Sequence, residues 1–152
     1  QSQLLNDTQA RFSRVIRGTV EQVWRAHHDP ALVSSWMLGP DGWTMPVCEP
    51  AESVGQTYRF EWEAADGSGR FGFTGEILEV NPPTREVSTE RMIDTDGPTN
   101  RNEMTLTPLA GGPLISVLIS YPDAETRDQI LATGMVEGME ASYLRLQQVI
   151  NP

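Results

Sequence analysis

Lysine is absent from the 152 residues, so all 11 basic residues are arginine, and they face 21 acidic ones for a net charge of −10. A field of that sign repels phosphate backbones and anionic lipid, which argues against nucleic-acid and membrane-surface roles. A basic protein partner or a small hydrophobic ligand fits better. Cys48 is the single cysteine, so no internal disulfide can form. With no flanking Cys or His, it reads as a packing residue rather than a nucleophile. No apolar run approaches the roughly 20 residues of a membrane-spanning helix, and no signal-peptide pattern opens the chain, so a cytoplasmic protein is expected. The chain starts at Gln1 without a Met, as after trimming of a short leader.

Catalytic signatures are missing too. There is no Ser-His-Asp order, P-loop, Rossmann fingerprint or zinc-ligand spacing, so no catalytic residue, metal or cofactor is expected. Gly67-Ser68-Gly69 is a turn rather than a phosphate cradle. The two histidines, His27 and His28, are neighbours near a helix end. They point about 100° apart, which suits a metal poorly. A cation at a helix C-terminus is favourable in itself and accounts for both.

What is present is an ordinary globular balance, 38% hydrophobic and 21% charged. The length suits one domain, with residues 11–150 as its core and the polar residues 1–9 loose. Arg11 to Gly18 reads as a strand. Thr19 and Gln22 form a capping box for a helix that buries Val20, Val23, Trp24 and His27. Pro30 then opens a second short helix with Leu32, Val33 and Trp36 inward, and Gly39 to Gly42 is a turn.

The period next changes to two. In Gln56 to Ala64, Tyr58, Phe60 and Trp62 alternate with charged residues, and Phe71, Phe73, Gly75 and Ile77 continue the apolar face after a turn at Asp66 to Gly69. Asn81-Pro82-Pro83 breaks the pattern. Arg85 to Met92, Asn100 to Thr107 and Leu114 to Tyr121 complete an antiparallel meander. From Pro122-Asp123 to about Gln148 the apolar residues return at helical spacing, which predicts one helix of some 25 residues, roughly 37 Å long. Gly134 and Gly138 within it leave either a close helix–sheet approach or empty space. The order of elements predicts an α+β fold, a curved antiparallel sheet wrapped around the C-terminal helix.

The stretch Arg17…Val23-Trp24-Arg25-Ala26…Asp29-Pro30…Leu32…Trp36-Met37-Leu38-Gly39-Pro40…Gly42 resembles the opening of the START-like superfamily (SRPBCC, or birch-pollen-allergen-like). Its closest branch is the homologues of the heat-shock-protein-90 ATPase activator. Gly55…Tyr58, Asp66-Gly67, Gly75-Glu76-Ile77…Val80-Asn81-Pro82-Pro83 and Gly134-Met135…Gly138-Met139…Ser142-Tyr143…Leu146 follow in order, so the likeness runs from about Arg11 to Ile150. Met37 stands where a second Trp is common, and Gly55-Gln56 where a Gly pair is common. Both changes are expected to alter the mouth of a pocket. The resemblance implies a helix-grip fold with a hydrophobic cavity between sheet and last helix. Members of the superfamily carry lipids, sterols, hormones and polyketides, and a few catalyse cyclisation or hydrolysis.

Three functions follow as expectations. The first is non-catalytic binding of a small hydrophobic or amphipathic molecule in that cavity. Its candidate wall is Trp36, Trp43, Tyr58, Trp62, Phe71, Phe73, Met92, Met104, Met135, Met139 and Tyr143, with Trp36 and Trp43 at the entrance. The second is a cochaperone-like module that meets a basic partner through an acidic patch of Glu61, Glu63 and Asp66. The third is a cyclase- or hydrolase-type enzyme using Glu90, Arg101 or Tyr58, with Glu103 as a further partner for Glu90. A monomer or an edge-paired homodimer is compatible with all three.

Overall fold

A computed structural model describes residues 2–151. A short strand β1 (Ser2–Leu4) is followed by β2 (Gln9–Val15), helix α1 (Val20–His28) and helix α2 (Pro30–Trp36). Six strands come next: β3 (Trp43–Glu49), β4 (Thr57–Ala64), β5 (Arg70–Asn81), β6 (Arg85–Met92), β7 (Asn100–Thr107) and β8 (Leu114–Ser120). Helices α3 (Ala124–Leu131) and α4 (Met135–Ile150) close the chain. The strands form one antiparallel sheet in the order β1-β2-β8-β7-β6-β5-β4-β3. This is the expected α+β helix-grip fold, a curved sheet with a C-terminal helix.

The local chemistry explains the helix starts. Thr19 and Gln22 make the reciprocal capping box. Asp29 ends α1 and caps α2, accepting from the Ala31 amide at 3.0 Å, and Pro30 occupies the first turn, where no amide donor is needed. Trp36 is 1% exposed, and its indole donates to the Ala26 carbonyl at 2.8 Å, which locks α2 against α1.

Two expectations need correction, and one strand was not foreseen. Residues 2–9 are not a loose tail. Ser2–Leu4 pairs with Phe12–Ala10, the Tyr121 amide donates to the Thr8 carbonyl, and the buried Arg127 side chain donates to the Asn6 carbonyl. Strand β3 carries no clear period-two signal, because Pro46 interrupts it at a bulge between Thr44 and Val47. It survives as an edge strand, and both the edge and the bulge are places in a sheet that tolerate a proline.

The predicted long helix is two helices. Gly134 adopts φ +88°, a left-handed conformation that breaks the helical path between Leu131 and Met135. Helix α4 alone is 16 residues, about 24 Å. A Cβ added at Gly138 would lie 3.8 Å from Pro40, so that position is in ordinary contact with the loop after α2 and not against the sheet.

The main core lies under α4. It joins Phe12 and Ile16 of the β2 region, Val23, Ala26 and Trp36 of the short helices, Met104, Leu106 and Ile115 of β7 and β8, and Tyr143 and Leu146 of α4. Phe12 and Tyr143 stack with centroids 5.4 Å apart. Arg14 and Glu140 pair across the same interface. Ser142 accepts from the Gly39 amide at 2.8 Å, and Arg145 holds the Gly39 carbonyl and Asp41. These contacts fasten α4 to β2 and to the loop after α2. Residues of β4 and β5 form a separate cluster with Ala51, around Tyr58 and Ile77.

Candidate functional site

Between that second cluster and the ends of α1 and α2 lies a half-open cleft of about 170 Å³. Tyr58, Phe60 and Trp62 of β4 and Phe73 and Ile77 of β5 form its apolar wall, closed above by Met37 and by Pro50-Ala51. Alternation places Glu86, Ser88 and Glu90 of β6 and Asn102 of β7 on the same inner face, opposite His27 and His28. The cleft therefore has an aromatic side and a polar end. No residue of α4 lines it, so it lies under the short helices and not, as the resemblance implied, between sheet and last helix.

A second, larger groove of about 210 Å³ does touch the C-terminal helices. It runs between β1–β2 and the break before α4, with Leu4, Phe12, Ile119, Leu131, Met135 and Val136 among its walls. The β2 alternation that turns Ala10 and Phe12 inward sends Arg11 to the opposite face of the sheet.

Trp62 is positioned by its indole, which donates to the Met37 carbonyl at 2.7 Å. The Met37 carbonyl, a backbone group that any residue at this position would supply, thus anchors one wall of the cleft. Tyr58 stands opposite Gly75, and its hydroxyl reaches past that residue to the Thr89 carbonyl at 2.6 Å. A Cβ on Gly75 would fall 1.8 Å from the same carbonyl oxygen and 2.7 Å from the hydroxyl, so the contact exists only with glycine there. Burial, followed by the Glu90 and Glu86 charges, pushes the Tyr58 phenol far above its usual range, and it stays protonated.

The histidines have different roles from the one expected of them. Both Nδ1 atoms lie 2.8 Å from carbonyls one turn back, Val23 for His27 and Trp24 for His28. His28, only 6% exposed, also places Nε2 2.8 Å from Glu86 Oε1. Burial disfavours its charge, but the Glu86 hydrogen bond, the Trp24 carbonyl and the Glu86 and Glu52 carboxylates outweigh it, and its pKa is raised. His27 has no such partner. Desolvation, with a smaller push from His28, lowers its pKa to about 4 against the Val23 hydrogen bond. It is neutral, with its proton on Nδ1 and a buried, unpartnered Nε2.

Glu90 sits at the polar end with Oε2 3.3 Å from Asn102 Nδ2. Desolvation raises its pKa to about 6, and the Asn102 bond opposes that only in part. Arg101 and Glu103 do not reach it. They lie on the outer face, where they pair with each other and with Glu79 and Arg85 around Val87, which is 0% exposed.

Of the predicted wall, Tyr58, Trp62 and Phe73 line the cleft. Trp36, Met104 and Tyr143 belong to the main core, and Met139 packs against it. Trp36 is therefore not at an entrance. Met135 lines the groove instead, within 3.7 Å of the Tyr121 hydroxyl. Trp43 packs edge-on to Phe71 at 5.3 Å, and Phe71 stacks on Trp62, which extends the aromatic side to the sheet edge. Phe71 and Met92 are 39% and 40% exposed and lie outside the cleft. Sequence reasoning missed His27, His28, Glu86, Ser88 and Asn102. The signal for Glu86 and Ser88 was available, since both share the period-two face of Glu90.

Of the three carboxylates of the expected acidic patch, Asp66 accepts from the Ser68 amide at 2.8 Å, and the other two are paired with arginine. Glu61 is held by Arg59 at 2.7 Å and by Arg70 at 3.1 Å, and Glu63 by Arg70 at 3.0 Å. Cys48 is partly buried, 3.6 Å from the Pro30 carbonyl, and its thiol pKa is raised by burial. Among the described residues no helix is long and apolar enough to cross a membrane.

The profile of the family described as Activator of Hsp90 ATPase homolog 1-like protein matches residues 17–151. Among solved structures, a protein from Rhodobacter sphaeroides is 30% identical, with a TM-score of 0.92 over 99% of this chain and 97% of its own. One from Chromobacterium violaceum is 27% identical, with a TM-score of 0.83 over 95% and 98%. An AHSA1-like protein from Aeromonas hydrophila, 22% identical, shares the fold with a TM-score of 0.76 over 93% of each chain. No curated protein matches the sequence.

Proposed function

The chain belongs to the activator of Hsp90 ATPase homolog 1-like family, a branch of the START-like superfamily, and from that premise we propose that it binds a small amphipathic molecule without transforming it. The observation that carries the reading is the cleft itself, with Phe60, Trp62 and Phe73 on one side and Glu86, Glu90 and His28 at its end. Sites of this kind combine an apolar wall with a few converging polar groups. Its volume of about 170 Å³ favours a single ring over the larger lipids and polyketides of the superfamily. An apolar cavity of about 150 Å³ holds benzene.

Binding is favoured over catalysis because the aromatic and imidazole donors of the cleft, which could stabilise a developing oxyanion, are committed to the protein's own hydrogen bonds. Tyr58, Trp62 and both His28 nitrogens are all engaged. The cochaperone-like alternative draws on the family name alone. Two of the three carboxylates it would use, Glu61 and Glu63, are paired with Arg59 and Arg70. A cytoplasmic location goes with the reading as part of the same proposal.

The test is native mass spectrometry of freshly purified protein, followed by a thermal-shift panel of single-ring compounds. A retained small molecule, or a concentration-dependent rise in Tm, is the expected result. A clean apo mass with no shift across the panel overturns the reading.

A further inference from the structure

The polar end of the cleft is asymmetric in its hydrogen-bonding chemistry. The ring and phenol donors that line it are engaged. Tyr58 donates to the Thr89 carbonyl, Trp62 donates to the Met37 carbonyl, and Asn102 Nδ2 donates to Glu90. The His27 Nδ1 proton goes to Val23, and both His28 nitrogens have partners.

The acceptors are in surplus. His28 uses Glu86 Oε1 and Asn102 uses Glu90 Oε2, which leaves Glu86 Oε2 and Glu90 Oε1 open. Behind them, His27 Nε2 and Asn102 Oδ1 are buried with no partner and add two further lone pairs to the local field. Among the described residues no arginine lines the cleft. His28 compensates Glu86, and Glu90 has only the neutral Asn102 beside it. The wall opposite is aromatic, and the negative faces of such rings attract a cation.

We propose that the cleft selects an organic cation of single-ring size, an aryl amidinium or primary ammonium, with Glu90 as its charge partner and Trp62 and Phe73 around its ring. The inference rests on the binding function proposed above and names the ligand class for that site. An anion would meet the Glu90 carboxylate, which has no cationic partner, and ring donors already spent on the protein's own hydrogen bonds. A plain hydrocarbon would fill the aromatic side and leave the acceptors at the polar end without partners, which is costly in a desolvated site.

The test is an NMR titration that follows the tryptophan indole N–H signals with benzamidine, benzylamine, benzoate and toluene. It uses the wild-type protein and the variants Glu90→Gln and Trp62→Ala. The amide in Glu90→Gln keeps the shape of the side chain and can still bond Asn102. The expected result is saturable binding of benzamidine and benzylamine and none of benzoate. Glu90→Gln should weaken the two cations at least tenfold, and Trp62→Ala should weaken them as well. If benzoate or toluene binds wild type as tightly as benzamidine, or if Glu90→Gln leaves the cations unaffected, the cation assignment is overturned while the cleft remains a binding site. If no probe of any charge moves an indole signal, the assignment and the binding function fall together.

Discussion

His28 Nε2 lies 2.8 Å from Glu86 Oε1, a pair that bolts the last turn of α1 to the middle of the sheet. Both side chains are largely buried, with relative exposures of 5% and 17%. Because the folded protein raises the His28 pKa above its ordinary 6.5, the folded state holds that proton more tightly than the unfolded chain. The pair's contribution is therefore complete below about pH 6.5 and is lost as pH rises through the folded value. Urea midpoints at pH 6 and pH 8.5 should show this decline in the wild type, and His28→Gln should flatten it. Glu86→Ala strands a buried imidazole and should cost about 1–3 kcal/mol at pH 6.

Glu90 has the opposite character. Its folded pKa of about 6 lies above the ordinary carboxylate value of 4.5, so its ionisation opposes folding. That penalty is absent below about pH 4.5, grows towards pH 6 and is complete above it. Glu90→Gln should therefore be no less stable than wild type near pH 4.5 and more stable at pH 8, by about 2 kcal/mol at most. Chemical denaturation at the two pH values checks this. A stability gain alongside a binding loss would separate function from folding at this residue.

Tyr58, Gly75 and Thr89 form a three-strand contact that admits no spare atom. Tyr58→Phe should cost about 1 kcal/mol for the lost hydrogen bond. Gly75→Ala has to move backbone, since the nearest atom to its Cβ is a carbonyl oxygen, and should cost about 1–3 kcal/mol or more. Urea denaturation of both variants should place Gly75→Ala well below Tyr58→Phe.

The two glycines of the C-terminal segment should respond with opposite signs. Gly134→Ala places a Cβ on a residue at φ +88° and should destabilise by about 1–2 kcal/mol. Gly138→Ala lies inside α4, with only an ordinary contact to Pro40, and should stabilise by about 0.5–1 kcal/mol. Thermal unfolding of the two variants against wild type checks both signs.

Much of this was legible in the chain. Thr19 and Gln22 announce α1, and the alternation of Tyr58, Phe60 and Trp62 announces β4, because caps and period-two faces are local properties of consecutive residues. Gly134 was read as helical because its flanks keep the helical period, and only its positive φ shows the break. The edge strand β3 escaped because its pattern is interrupted at Pro46 and its pairing comes entirely from β4.

The site divides in the same way. Tyr58, Trp62, Phe73 and Glu90 could be named from strand periodicity, which decides the face on which a side chain lies. Periodicity does not decide what faces it across the core. That His28 meets Glu86, 58 residues away, and that α4 covers β2 and leaves β4–β6 to the short helices, depend on how helices pack on a curved sheet. Such long-range contacts follow from the total burial of many side chains at once, so the sequence by itself determined the elements and their faces. The tertiary structure alone decided that one Trp became core, another a cleft wall, and that one histidine pairs with Glu86 while its neighbour keeps an unpartnered ring nitrogen.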